Sequence, residues 1–142
     1  MADTSLSENR IGLLIWKTSN YWQTRLRKIL RSYHLSLNEF LILQSIHHLH
    51  SIKSKTHQNV ISSFIGIDIS VASVTFKSLE NKNYISRQFE SDNRKKIVKM
   101  LDGGKILFAD ISPLIKREEK LMFEKLKNET FNFTNSLKLL LG

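Results

Sequence analysis

Seven cations bracket one stretch of this chain. Lys53 and Lys55 precede it, and Arg87, Arg94, Lys95, Lys96 and Lys99 follow it. Such side chains on loop and hairpin edges neutralise phosphate, which positions a duplex without reading its sequence. Between them, residues 69–82 have the spacing of a helix whose Ala72, Thr75, Phe76 and Leu79 pack inward. That leaves Ser70, Val71, Ser73, Val74, Lys77 and Ser78 outside. Serine hydroxyls bond to several bases and to phosphates, and a valine touches the methyl of thymine. The candidate DNA contacts are therefore Lys55, Thr56, Gln58, Ser70, Ser73, Val74, Lys77, Arg87, Arg94, Lys95 and Lys96. Arg94 falls at a hairpin tip, a position suited to a narrow A·T-rich minor groove.

Other chemistry is poorly provided for. His47, His48, His50 and His57 cluster, but a metal site needs three or four convergent ligands and the nearest carboxylate, Glu39, is two turns upstream. No metal and no cofactor are expected. No nucleophile, base and orienting group assemble, and no glycine-rich loop could cradle a phosphate, so an enzyme is not expected. Trp16 and Trp22 could line a ligand pocket near a dimer junction, although aromatics at helical spacing are more often core.

The elements that position these residues are punctuated clearly. Residues 56–65 read as a helix, and Gly66 follows where a helix end favours positive φ. Asp68 stands at an N-cap, and residues 69–82 make the second helix. Residues 84–89 and 94–100 form strands around a polar turn. A helix-turn-helix followed by a basic hairpin is a device for seating a helix in a DNA groove. Upstream, Ser5 with Glu8 and Ser36 with Glu39 are capping boxes that open two helices. Downstream, residues 102–127 are helical, with a kink or break expected near Ser112 because Pro113 lacks an amide donor. Asp102 is placed to cap that helix, and a short helix over 131–140 ends the chain.

The 142 residues suffice for one domain, 41% are hydrophobic, and 22 Lys+Arg against 13 Asp+Glu give a net charge of +9. An anionic partner is favoured, double-stranded DNA before a membrane surface. There is no cysteine, no signal-like start and no apolar run of membrane-spanning length, so a cytoplasmic, nucleoid-associated protein is expected. Both ends are striped with large apolar groups, among them Leu14, Trp16, Phe131, Phe133, Leu139 and Leu140. A second copy would remove that surface from water, which predicts a homodimer.

Several strings, in order, resemble the MarR-type winged-helix transcriptional regulators, and within them the SlyA-like branch. Ile65-Gly-Ile-Asp-Ile-Ser70 looks like that branch's entry into its recognition helix. Leu79-Glu-Asn-Lys-Asn-Tyr-Ile85 resembles the family's helix exit. Asp92-Asn-Arg94 matches the wing's Asp-x-Arg, and Met100-Leu-Asp-Gly-Gly104 stands at the entry to the last long helix. The resemblance implies a homodimer with interleaved terminal helices, a minor-groove role for Arg94, a wing-shaping role for Asp92, and release of DNA by a small aromatic anion. Val74 departs from the family, which often has a basic residue there. Asn83 replaces a glycine but also tolerates the left-handed conformation.

The reading is thus one mainly helical MarR-like domain over 1–142 with a small β-hairpin wing. Dimerisation helices occupy about 5–33 and 103–141, and a winged helix-turn-helix about 36–101. It would regulate transcription as a homodimer on a pseudo-palindromic operator. The alternative is a dimeric interaction protein with weak DNA binding that antagonises a related regulator.

Overall fold

The computed structural model describes residues 10–89 and 95–142. Helix α1 (Ile11–Arg31) leads to α2 (Leu37–Ser51), α3 (Gln58–Ile65) and α4 (Ile69–Asn81). Strands β1 (Ile85–Phe89) and β2 (Lys96–Met100) follow, then α5 (Asp102–Phe123), a 3-10 segment (Glu124–Glu129) and α6 (Thr130–Leu141). The capping box proposed at Ser5 and Glu8, and the wing residues Asp92 and Arg94, lie outside the described residues.

Helix α2 is the centre of the fold. Leu37, Phe40, Ile42, Leu43, Ile46 and Leu49 are all buried, so this helix is apolar on nearly every side. Around it close Leu26 and Leu30 of α1, Ile61 of α3, Phe76 and Leu79 of α4, Ile85 and Val98 of the hairpin, and Phe108, Ile111 and Ile115 of α5. Phe40 stacks on Phe108 at 5.9 Å. Burying an aromatic or aliphatic side chain of this size contributes roughly 1.5–3 kcal/mol. The capping box at Ser36 and Glu39 forms as expected: the Glu39 amide donates to Ser36 Oγ at 3.1 Å and the Ser36 amide to Glu39 Oε1 at 2.9 Å.

The strands pair antiparallel, Ile85 opposite Met100 through Phe89 opposite Lys96. The outer edge of β2 is extended by Thr56 and His57. The Val98 amide donates to Thr56 O at 2.9 Å, Thr56 Oγ1 donates to Val98 O at 2.7 Å, and His57 bridges Ile97. This pairing takes residues 56–57 out of the helix expected there, so α3 begins at Gln58 instead.

Three further expectations are corrected by local packing. Of the kink or break expected near Ser112, the break does not occur: α5 runs from Asp102 to Phe123 with Pro113 inside it. Ile111 and Ile115, two residues to either side, are both buried and hold the helix through the missing backbone bond. Asp102 does not cap α5: the N-cap position is Leu101, which has no side-chain hydrogen bond to give, and Asp102 sits inside the first turn. The helix also ends before residue 127, where Lys127 takes φ 51 and ψ −124 and the chain turns into α6.

The start of α5 is pressed against the strand entry. The Leu101 amide donates to Tyr84 O at 3.0 Å. A Cβ on Gly104 would lie 2.3 Å from that carbonyl oxygen and 2.9 Å from Met100 Cγ, so only glycine fits. Among the described residues no single helix is long and apolar enough to cross a membrane.

Candidate nucleic-acid interface

Helices α3 and α4 are bent by 118° at their junction, within the range of a helix-turn-helix. Gly66 makes the turn at φ 78, its amide donating to Ser62 O at 2.9 Å. Asp68 then caps α4, accepting from the Ser70 amide at 3.2 Å and from the Ser70 hydroxyl. Those donors, the hydroxyl first, hold the Asp68 carboxyl below its ordinary value. At the far end Asn83 adopts φ 62 and the exit turn survives without glycine.

The wheel drawn from the sequence holds for most of α4. Ala72, Thr75, Phe76 and Leu79 are buried, while Ser70, Val71, Ser73, Val74 and Lys77 are exposed. Thr75 spends its hydroxyl on Val71 O at 2.7 Å. Ser78 is the exception. It is half-buried and its hydroxyl donates to Glu39 Oε2 at 3.0 Å.

That bond belongs to a junction with little trace in the residue pattern. Glu39 is buried and also receives Lys82 Nζ, 2.9 Å from Oε2, while the same ammonium donates to His34 O at 2.8 Å. Burial by itself would raise the Glu39 carboxyl; the Ser36 amide, Lys82 and Ser78 outweigh it and leave the group below its ordinary value. The capping box was visible in sequence. Its second use, as an anchor for a helix 43 residues away, was not.

The candidate contacts separate into two sets. Lys55, Ser70, Ser73, Val74, Lys77 and Lys95 are exposed around the turn, α4 and the hairpin. Lys96 is half-buried beside the Phe89 ring, its ammonium 5.2 Å from the centroid. Thr56, Gln58 and Arg87 are engaged within the protein. The Arg87 guanidinium grips both Glu80 oxygens, at 3.2 and 3.0 Å, and donates to Gln58 Oε1 at 3.1 Å. The Arg87 bond is the chief reason the Glu80 carboxyl is held below its ordinary value. One side chain thereby ties β1 to the end of α4 and the start of α3.

A cavity of about 680 Å³ opens between α2, β2 and α5. Ile46, Val98, Met100 and Phe108 give it apolar walls, and His47, His50, Lys99 and Lys105 line it with nitrogen-bearing groups. Trp16 and Trp22 do not line it. Trp16 is exposed on α1, and the Trp22 indole N–H donates to Glu119 Oε2 on α5 at 2.9 Å. Two of the histidines pack as rings, His47 on Phe108 at 4.8 Å and His48 on Phe64 at 5.3 Å.

Comparison with known proteins agrees with this architecture. Residues 35–97 match the model of the MarR family. The HTH-type transcriptional regulator YdcH of Bacillus subtilis (strain 168) is 25% identical over 122 residues, covering 84% of this chain and 83% of YdcH. A mutant MarR from E. coli, solved in complex with operator DNA, superposes with a TM-score of 0.82 at 18% identity, covering 96% of this chain and 98% of that one. CouR from Rhodococcus jostii RHA1, solved with p-coumaroyl-CoA, gives 0.77 at 17% identity, covering 92% and 90%. Residues 35–97 are thus what the MarR family model matches, and the chain as a whole has the fold of the solved MarR transcriptional regulators it superposes on.

Proposed function

We propose that this chain is a DNA-binding transcriptional regulator that works as a homodimer on a pseudo-palindromic operator, in the cytoplasm and on the nucleoid. The observation that carries the reading is the outer face of α4, exposed beyond a well-packed helix-turn-helix and flanked by Lys55, Lys77 and Lys95. Ser70, Ser73 and Val74 face the bases, while the lysines, Lys96 included, neutralise phosphate. Thr56, Gln58 and Arg87 hold the interface in shape. Arg94 enters the minor groove and Asp92 shapes its turn, roles taken from the resemblance to the family. The Ile65–Ser70 string supports a SlyA-like placing within it.

Dimerisation is supported by the chain ends. No residue of α6 is buried, and Phe131, Leu139, Leu140 and Leu141 stand exposed with Ile11, Leu14, Ile15 and Trp16 of α1. Apolar surface of that extent calls for a partner, and a second copy supplies a self-complementary one. The cavity is the place for an effector. Its apolar walls suit an aromatic ring, and Lys99 and Lys105 suit an anionic group. CouR, with its bound p-coumaroyl-CoA, is a precedent for a ligand on this fold. Because β2 forms one wall, a ligand that binds better with β2 displaced would shift the protein away from its DNA-competent state.

Gel-shift titration of the full chain against the DNA upstream of its own coding sequence, with and without benzoate-class anions, tests the reading. A retarded complex that the anion dissociates is expected. Absence of any complex at low salt would favour the antagonist alternative, for which the uncharged Val74 is the motivating residue.

A further inference from the structure

We propose that α4 selects DNA by the C5 methyl groups of thymine rather than by the hydrogen-bonding edges of guanine or adenine. The proposal rests on the DNA-binding reading above and sharpens it to a class of base. Over residues 69–77 the exposed side chains are Ile69, Ser70, Val71, Ser73, Val74 and Lys77. Val74 lies on the side of the helix away from the buried Ala72, Thr75, Phe76 and Leu79 and is 73% exposed; Ile69, at the leading end, is 78% exposed. A single exposed aliphatic is ordinary on a protein surface. Two so exposed on one 13-residue helix, which also carries the exposed Lys77, are not accounted for by packing in this chain.

The chemistry of base edges narrows what these side chains can meet. Guanine is read by a bidentate Arg or Lys, adenine by Asn or Gln, and cytosine by an acidic acceptor. None of Arg, Asn, Gln, Asp or Glu occurs at 69–77, and the one cation, Lys77, is placed toward the C-terminal half. In a helix-turn-helix the N-terminal residues of the recognition helix reach the bases. What the leading turns offer is three branched aliphatics, Ile69, Val71 and Val74, set around the hydroxyls of Ser70 and Ser73. In the major groove the apolar feature that matches it is the thymine methyl. The flanking lysines make a duplex, rather than an apolar protein surface, the fitting occupant, since they would be left unneutralised against the latter.

The test uses the full-length chain. Sites are enriched from a random duplex pool, and each enriched thymine is then replaced by dU, which removes one methyl and leaves the pairing intact. Loss of a buried methyl costs on the order of a fourfold drop in affinity, expected at one or more thymines in each half-site. Val74→Ala, at an exposed position where circular dichroism should register no change of fold, should abolish the response at one of them. Binding that enriches sites yet shows no dU response anywhere would overturn the proposal and leave the regulator reading standing. Enriched G·C positions where 7-deazaguanine costs more than any dU replacement would overturn it in the same way. Failure to bind any duplex at low salt would overturn both.

Discussion

Helix α4 shows Ile69 and Val74 to solvent while Ala72, Thr75, Phe76 and Leu79 on its other side are buried. Helix α6 shows Phe131, Leu139, Leu140 and Leu141 and has no fully buried residue, Phe133 being half-buried. The first helix is anchored by a full apolar face of its own, so its exposed residues are free for recognition. The second has no such anchor in this chain. Short isolated helices are marginal in water, so α6 owes its stability to whatever covers it. The two surfaces differ in charge as well. The helix-turn-helix and hairpin that hold α4 expose Lys55, Lys77 and Lys95, whereas the 12 residues of α6 contain one cation, Lys138.

The largest effect that could break this contrast is removal of residues 131–142. Light scattering should show loss of the dimer with aggregation, and DNA binding should disappear. A folded, monodisperse, DNA-competent monomer would mean that α6 needs no partner. The next largest effect is that of salt. If the dimer makes ~6–10 phosphate contacts, affinity for DNA should fall by about 10³–10⁵ between 50 and 200 mM salt. Dimer dissociation, driven by apolar burial, should hardly respond over the same range. Parallel titrations by fluorescence anisotropy and analytical ultracentrifugation would show whether the two surfaces separate in this way.

Within the winged helix the effects are smaller. Glu39→Ala strands Lys82, Ser78 and the Ser36 amide, and should cost about 1–3 kcal/mol in denaturant unfolding. Because the Glu39 carboxyl is held below its ordinary value, the folded protein binds a proton there less readily than the unfolded chain. Its contribution is present above the unfolded value near 4.3 and is lost as pH falls through the lower folded value. The stability gap between the native chain and Glu39→Gln should therefore narrow on acidification in that window and stay flat between pH 6 and 8. Smallest is a difference between two cations. Lys95→Ala should weaken DNA binding and reduce the salt slope by about one. Arg87→Ala should weaken binding through a loosened hairpin with the slope unchanged, because its guanidinium is already paired with Glu80.

The turn chemistry was legible in the residues themselves. Gly66, Asp68, Asn83 and the Ser36–Glu39 box each act through bonds to near neighbours, and the structure places all four as expected. The inward face of α4 was legible for the same reason, being a matter of spacing. What escaped depends on partners far along the chain. Arg87 reads as a free cation until Glu80 and Gln58 are brought to it, and Ser78 reads as surface until Glu39 arrives. Thr56 was assigned to a helix because its pairing with Val98 lies 42 residues away. At Pro113 the local rule allowed a break, and the burial of Ile111 and Ile115 on either side keeps the helix unbroken. The cavity left no sequence signal, since its walls come from three elements.

The close seat of Gly104 against Tyr84 has a mechanical consequence. It fixes the root of α5 to the reading head, and α5 then extends for 22 residues, about 33 Å at 1.5 Å per residue. Phe108, Ile111 and Ile115 then clamp the first half of the helix onto α2, so the hairpin and α5 turn as one rigid piece. A bulkier residue at position 104 would have to push the hairpin and this long helix apart, so its effect would be felt along the whole of α5 before it reached any group that touches a base.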